Sequence, residues 1–517
     1  MMTELERRKS SRIYWASGIV SICGIIFEVL FGALGSYILG DGVKQYTITI
    51  SLFLTGMGIG ASLSEKVMKR LILTFIVIEF MIALVGGLSS FFIFGLTAFV
   101  GDTATAVFLY SVILLVGGLT GLELPILIRK ANEIGVEINK STARVLFSDY
   151  AGGLIGGLLF AFLLRPEFGL VTTAFLVAIV NVAIGIWILI TFRAEIPFFR
   201  ILSISAALLF SLMIGGALFG EEIAFSFEQK MYKDPVILSE DTNYQRIVVT
   251  KEQGDTRLYL DGQLQFSSSD EYRYHETLVH IPMAVAEHPS DVLVLGGGDG
   301  LAVRELLKYD SLNSVTLVDL DPRVTELAST NHHFLELNKG SLKDKKVTIV
   351  NDDAFKYLKK AKNKFDVILV DLPDPNNESL NKLYTWEFYS LIRNHLKEDG
   401  AVMVQATSPV FATEVYWTIN ETIEKTGLVT KNFHVDIPSF GNWGFVLGTR
   451  HPVDMSDVSI SVETRFLSDR LLTSLTDFGK DEDEVITDQD GNVVKMEPNT
   501  LIRPNLIEKY EKAWQNY

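Results

Sequence analysis

The sequence predicts a chain in two physical halves. An all-α bundle of membrane-spanning helices comes first, then a small antiparallel β unit leading into an α/β domain with a doubly wound, mainly parallel sheet. Three observations predict this. Roughly the first 220 residues are dominated by apolar runs long enough to cross a bilayer, for which about 20 residues suffice. From about Phe225 the pattern becomes short alternating strands with polar turns. Beyond about residue 290, unbroken Val/Ile/Leu runs alternate with helical stretches, as strands buried on both faces of a parallel sheet do.

The apolar runs fall near 13–39, 46–64, 71–98, 105–128, 145–164, 168–192 and 201–219. A mean hydropathy of +0.27 with 48% hydrophobic residues is too apolar for a soluble globule, and the excess sits in these runs. The basic start, Arg7, Arg8, Lys9 and Arg12, followed by an apolar run, is built like a secretion signal. The run is long and others follow it, so it reads as an anchor that stays on the protein. Basic residues also sort between alternate loops. Lys66, Lys69, Arg70, Arg129, Lys130, Lys140, Arg144, Arg193 and Arg200 share the side of the N-terminus, against Lys44 and Arg165 on the other. The positive-inside rule then places the N-terminus in the cytoplasm.

Four acids, Glu28, Glu79, Glu123 and Asp149, lie in or near the runs. A carboxylate in hydrocarbon is costly, so such groups face a bundle interior or a watered path. Two readings stay open for them: a path for an organic cation, or hydrogen bonding between helices. Glycines at 56, 58, 60, 117, 118 and 121 indicate close helix packing. Cys23 is the only cysteine, so no intrachain disulfide can form, and it reads as a small core residue. The net charge of −16 excludes nucleic acid as a partner and suits a cationic one.

The β unit is read from Val236-Ile237-Leu238, Arg246–Thr250 and Arg257–Leu260, with a turn at Glu252-Gln253-Gly254-Asp255. A helix near 270–287 follows, then buried strands at 291–295, 315–319, 346–350, 366–371 and 400–405. The expected segments are a multi-pass domain of about seven helices at 1–222, the β unit at 223–265, the α/β domain at 266–452 and a polar tail at 453–517. The tail receives no chemistry.

Ligands of such sheets bind beyond the carboxyl ends of the strands. The first strand ends in Gly296-Gly297-Gly298-Asp299-Gly300, where missing side chains at Gly296, Gly298 and Gly300 let backbone approach a ligand. The second ends in Asp319, 21 residues after Gly298, the spacing of a carboxylate that accepts ribose hydroxyls. The third ends in Asn351-Asp352-Asp353, suited to an adenine amino group, and the fourth in Asp371, with Asp374 three residues on. The loop has neither dinucleotide GxGxxG spacing nor a P-loop Gly-Lys-Ser/Thr, which disfavours phosphate. A sulfonium nucleoside such as S-adenosylmethionine or its decarboxylated form fits better. No metal site and no prosthetic group are expected. Taken singly, Asp371 and Asp374 could be an ordinary Asp-Pro turn, and His275 a satisfied helix residue.

In combination the motifs become specific. Val292–Glu305 (VLVLGGGDGLAVRE), Tyr244-Gln245, Asp261-Gly262, Asp270-Glu271 with Tyr274-His275-Glu276, and Asp371 with Asp374-Pro375 resemble the polyamine aminopropyltransferases, above all spermidine synthases. The resemblance covers about residues 230–450, and the multi-span extension resembles the membrane-integrated bacterial branch of that family. It implies a Rossmann-like fold of the class I methyltransferase type. It also implies Asp371 as proton acceptor and Asp374 as holder of the far amine, with Tyr274, His275 and Asp299 along the polyamine channel. Gln245, Asp319, Asp352 and Asp353 would hold the thioadenosine, and Gln405 would help bind the diamine. Three features depart from the commoner soluble pattern: Phe440 where a tyrosine is frequent, Asn376-Asn377 where Gly-Pro is frequent, and Trp443 in a shortened loop.

The expected function is transfer of the propylamine group of decarboxylated S-adenosylmethionine, as co-substrate, to putrescine, giving spermidine and methylthioadenosine. The alternatives are a membrane polyamine transporter or sensor with a non-catalytic domain, and a methyltransferase. The expected partners are a small polyamine, the lipid bilayer and a second copy of the chain in a homodimer or higher homo-oligomer. Seven strictly alternating spans would carry the second half out of the cytoplasm, where these substrates are made. The run at 145–164, rich in glycine, is the candidate for a re-entrant segment. The expected location is the cell (inner) membrane, with the catalytic half in the cytoplasm.

Overall fold

The computed structural model of the 517-residue chain describes residues 4–40, 42–242, 244–484, 493 and 496–514. It divides into two compact units, residues 1–235 and 236–517. The first is helical: α1 (Glu4–Leu39), α2 (Gly42–Leu63), α3 (Leu71–Phe99), α4 (Asp102–Glu133), α5 (Ile138–Leu159), α6 (Arg165–Thr191) and α7 (Phe199–Met231). The last of these runs past the boundary expected at 222. Among the described residues, six continuous helices are long and apolar enough to cross a membrane, counting Ile138–Thr191 as one.

That 54-residue run has two limbs. A π-helical turn at Phe160–Leu164 leads into α6, and Gly169 leaves the helical region at φ 64°, ψ −173°. Thr173 Oγ1 donates to the Leu164 carbonyl across this break at 3.1 Å. The six helices therefore carry the seven apolar runs of the sequence.

Polar contacts set the direction of the rods. The Ser17 and Ser21 hydroxyls of α1 donate to the Val145 and Asp149 carbonyls, so α5 runs parallel to α1. Lys9 and Lys130 both pair with Glu195, at 2.9 and 2.7 Å, and Arg12 donates to Thr191. These contacts gather the start of α1, the end of α4 and the α6–α7 connection at one basic end. At the other end the Tyr37 hydroxyl donates to Glu228 of α7 at 2.7 Å. The chain thus leaves the bundle at the end opposite its basic cluster. Helices α2 and α4 meet backbone to backbone, since a Cβ on Gly60 would run into the Gly118 carbonyl. Glu79 and Glu123 are buried in the bundle, Glu28 and Asp149 half-buried.

The second unit opens with an antiparallel meander of β1 (Val236–Asp241), β2 (Arg246–Glu252), β3 (Asp255–Leu260) and β4 (Gln263–Ser267). The fourth strand, not read from the sequence, follows a turn in which Asp261 and Gly262 both take positive φ, 49° and 79°. That is the hairpin geometry an Asp-Gly pair favours. Helix α8 (Glu271–Val285) leads into the main sheet.

The main sheet contains β5 (Asp291–Gly296), β6 (Ser314–Asp319), β7 (Val347–Asn351), β8 (Phe365–Asp371), β9 (Leu396–Gln405), β10 (Val429–Ile437) and β11 (Gly441–Thr449). Their spatial order is β10-β11-β9-β8-β5-β6-β7. Strands β5 to β9 are parallel, and β11 is antiparallel to both its neighbours. Only Pro438-Ser439-Phe440 joins β10 to β11, too short for a crossover, so the last pair must be a hairpin. Val292–Leu295 and Val367–Val370 are fully buried, which explains their unbroken apolar character. The order reverses between β5 and β8, the switch point of the sheet. There Gly296 pairs with Asp371, bringing the glycine turn and the acidic turn to adjacent strand ends.

Candidate active site

A cavity of about 740 Å³ opens at this switch point. Of the residues singled out in the sequence, Gln245, Tyr274, His275, Gly296, Gly298, Asp299, Asp319, Asp353, Asp371, Asp374 and Gln405 line it. Gly300 shapes the turn behind it at φ 80°, and Asp352 lies outside it.

The end of the cavity at the glycine turn is built from strand ends. The Gly298 N–H donates to Asp319 Oδ2 at 3.0 Å, and the Asp321 N–H to Oδ1 at 2.9 Å. A Cβ on Gly298 would come within 2.5 Å of Oδ2, so this close approach requires glycine. Burial raises the Asp319 carboxyl to about 6, while the two backbone donors pull it down. Gln245 Nε2 donates to Asp321 Oδ2 at 3.1 Å, tying the β1–β2 turn to the same loop. Asp353 caps the next helix through the Lys356 N–H and pairs with Lys382 at 2.5 Å. Asp352 instead turns toward Lys360, at 3.3 Å.

The acidic end is built around β8. The Tyr274 hydroxyl donates to Asp371 Oδ1 at 2.7 Å, while Oδ2 faces Gly297. Burial raises the Asp371 carboxyl, opposed by His275 and the Tyr274 bond. His275 Nδ1 lies 2.8 Å from Glu271 Oε2, and Glu271 is gripped in bidentate fashion by Arg304 at 2.9 Å. Burial alone would lower His275, but Glu271 wins and holds it up at about 9. Asp299 accepts from the Leu301 N–H, and burial lifts it to about 6 against the pull of His275.

Asp374 is 7% exposed and also sits at about 6 through burial, with Thr407, Gln405 and Tyr510 opposing the shift. Its Oδ2 accepts from Thr407 Oγ1 at 2.9 Å and from the Tyr510 hydroxyl at 3.1 Å. Gln405 is a hub. Its Nε2 donates to the Leu372 carbonyl, Tyr384 and Asp374, and its Oε1 accepts from the Thr407 N–H and Trp443 Nε1. It lines the cavity and fixes the neighbouring Asp374 carboxylate.

The Asp270 to Glu276 string of α8 works as scaffolding as well as lining. Asp270 accepts from Ser439 N–H and Oγ, which holds the β10–β11 turn carrying Phe440. Glu276 accepts three backbone N–H bonds from Arg465, Phe466 and Leu467.

Chemically, five carboxylates (Asp299, Asp319, Asp353, Asp371 and Asp374) line one cavity, and the Lys382 ammonium is committed to Asp353. Such a concentration of negative charge attracts cations, and the glycine loop beside it leaves backbone open to a ligand.

Comparison with known proteins agrees with this geometry. The spermine/spermidine synthase domain matches residues 271–457. The polyamine aminopropyltransferase of Oceanobacillus iheyensis is 62% identical over 517 residues, covering 100% of both chains. The chain belongs to the polyamine aminopropyltransferase family. A second aminopropyltransferase, from Leptospira interrogans, is 40% identical over 505 residues, 97% of this chain and 98% of the relative. Both matches run through the helical half as well as the catalytic one. Among solved structures, a spermidine synthase in complex with the transition-state analogue AdoDATO is 28% identical. It covers 47% of this chain and 85% of that one, with a TM-score of 0.45. Full-length membership of an aminopropyltransferase family removes the methyltransferase alternative.

Several residues of this aminopropyltransferase site escaped the sequence reading. Thr407 takes φ 58°, rare for a β-branched residue, and its hydroxyl serves Asp374. Tyr384 supports the turn through the Leu372 and Pro373 carbonyls. Tyr510 and Trp514 line the cavity from the tail, to which no chemistry had been given. Only the spacing of Leu506, Tyr510, Ala513 and Trp514, one face of a helix, could have pointed to them.

Proposed function

We propose that this aminopropyltransferase moves the propylamine group of decarboxylated S-adenosylmethionine onto putrescine, giving spermidine and methylthioadenosine. The reading rests on two carboxylates, half-buried Asp371 and buried Asp374, beside the Gly296–Gly300 loop. Both substrates are cations and repel each other, so acidic side chains must hold them at about 3–3.5 Å for attack. The lone pair of a neutral amine attacks the carbon bonded to the sulfonium. The carbon–sulfur bond breaks, its electrons go to sulfur, and methylthioadenosine leaves as a neutral thioether. The nitrogen then carries a surplus proton, which Asp371 accepts. Tyr274 on Oδ1 orients that carboxylate, and burial makes it a better base than an exposed aspartate. Asp374 holds the far ammonium. Ordinary S-adenosylmethionine would bring a carboxylate against this acidic wall and should be a poor donor.

A product assay on the detergent-solubilised protein tests the reading, with either donor and a panel of diamines. Methylthioadenosine and spermidine should form from the decarboxylated donor and putrescine. Tight methylthioadenosine binding without turnover of any amine would favour sensing or transport, and equal use of the two donors would remove the discrimination argument.

The location we propose is the cell membrane, with the catalytic unit on the cytoplasmic side, where the donor is made. The charge pattern argues the other way. The chain leaves the bundle opposite its basic cluster, so a cytoplasmic catalytic unit requires that cluster to face outward, against the usual bias. Cys23 is buried and is the only cysteine, so a cysteine at exposed Lys345 reports sidedness alone. Lys345→Cys should resist an impermeant maleimide in intact cells and react after permeabilisation. Labelling in intact cells would put the catalytic unit outside.

A further inference from the structure

The tail docks on the α/β domain. Asn499 is fully buried, and its Nδ2 donates to Asn381 Oδ1 and the Tyr384 carbonyl, each at 3.0 Å. Its N–H donates to Thr422 Oγ1 at 2.9 Å, and its carbonyl accepts from the Trp386 N–H at 2.8 Å. These bonds set the entry of a C-terminal helix, Leu506–Trp514, whose Leu506 is fully buried and whose Lys509 reaches Thr418 at 2.6 Å. Positions i, i+4 and i+8 share a helix face, so Leu506 at the base aims Tyr510 and Trp514 at the cavity.

The two rings meet the cavity at its acidic end. The Tyr510 hydroxyl donates to Asp374 Oδ2, and the Tyr510 and Trp514 ring centres lie 5.9 Å apart. Phe411 backs Trp514 at 5.8 Å. The Trp514 indole N–H is buried and has no hydrogen-bond partner among the described residues. A carboxylate flanked by aromatic faces is the chemistry that recognises an alkylammonium. Both rings line the cavity beside Asp374.

We propose that the C-terminal helix forms the end wall of the amine subsite and selects the acceptor by length. This rests on the reading of Asp374 as the holder of the far amine. An α,ω-diamine whose distal ammonium reaches Asp374 fits below the wall. A longer polyamine places carbon and a further ammonium where Tyr510 and Trp514 stand. Tyr510 is a positioning residue, since it acts through Asp374, whereas Trp514 is the steric stop.

The full-length protein is assayed with 1,3-diaminopropane, putrescine, cadaverine and spermidine as acceptors, beside Trp514→Ala and Tyr510→Phe. Trp514→Ala should raise kcat/KM for spermidine relative to putrescine by about tenfold. Tyr510→Phe keeps the ring and loses one bond to a charged group, so KM for putrescine should rise about tenfold with kcat and methylthioadenosine affinity little changed. If Trp514→Ala fails to fold, the KM-against-kcat split of Tyr510→Phe decides by itself. Acceptor ratios and KM values unchanged in both variants would overturn the proposal. Failure of the underlying reading looks different, because Asp374→Asn would then keep the parental KM for putrescine.

Discussion

Asp371→Asn is expected to lower kcat for aminopropyl transfer by about 10²- to 10⁴-fold, the range for a lost general base, with methylthioadenosine affinity kept within a few fold. Asparagine preserves size and can still accept from Tyr274, whose hydroxyl donates to Oδ1 at 2.7 Å in the parent protein. What it cannot do is take the proton from the attacking amine. On the proposed reading the nucleoside is held at other strand ends, where the Gly298 N–H is bonded to Asp319, so donor binding should survive. Single-turnover kinetics with a calorimetric methylthioadenosine titration separate the two effects. A loss of less than threefold would mean that the proton leaves by another route and that Asp371 only attracts cations.

Asp374→Asn should act on binding. KM for the diamine is expected to rise about 10- to 100-fold, the worth of a hydrogen bond to a charged group, with a smaller change in kcat. The pH dependence sharpens the test. With no amine bound, the Asp374 carboxyl sits at about 6, raised by burial from an ordinary 3.8. Only the carboxylate attracts an ammonium, so KM should fall as pH rises through about 6 in the parent protein. Removing the titrating group should flatten that limb in the variant. Stability of the protein without amine runs the opposite way to amine binding. Because the folded-state value is raised, the contribution of Asp374 to stability is fully present below about 3.8 and is lost as pH rises through about 6. Because the carboxylate form binds the ammonium, added putrescine should stabilise the protein more at pH 7 than at pH 5 in a thermal melt. An equal shift at both pH values, or a variant that keeps the parental KM profile, would place the far amine elsewhere.

Much of this site was legible because its geometry is local. A glycine-rich turn after a buried strand and an acid at the end of the next one are set by the βα unit itself. Gly296 to Gly300, Asp319 and Asp371 therefore sit in the chain where they sit in the fold. The seven apolar runs were legible for a similar reason, since length and composition alone qualify a helix for a bilayer. The β10–β11 hairpin was encoded too, in a three-residue connection that no crossover can span, although the reading of strands alternating with helices missed it.

Other features depended on which distant segments dock. Asp352 and Asp353 are equivalent at the end of β7 until the next helix takes Asp353 as its cap and Lys382 pairs with it. Gln405 could be expected near the diamine, but its five hydrogen bonds are visible only once Trp443, Thr407, Tyr384 and the Asp374 turn converge on it. Tyr510 lies 136 residues from the Asp374 it touches. By itself the sequence determined the kinds of element, the chemistry at the strand ends and the cationic character of the ligand. These follow from backbone periodicity and side-chain charge, which travel with the residue. The tertiary structure alone decided which carboxylates are buried, what holds them and which aromatic rings meet the acidic end of the cavity. Burial and partner choice belong to contacts between segments far apart in the chain, and no local pattern carries them.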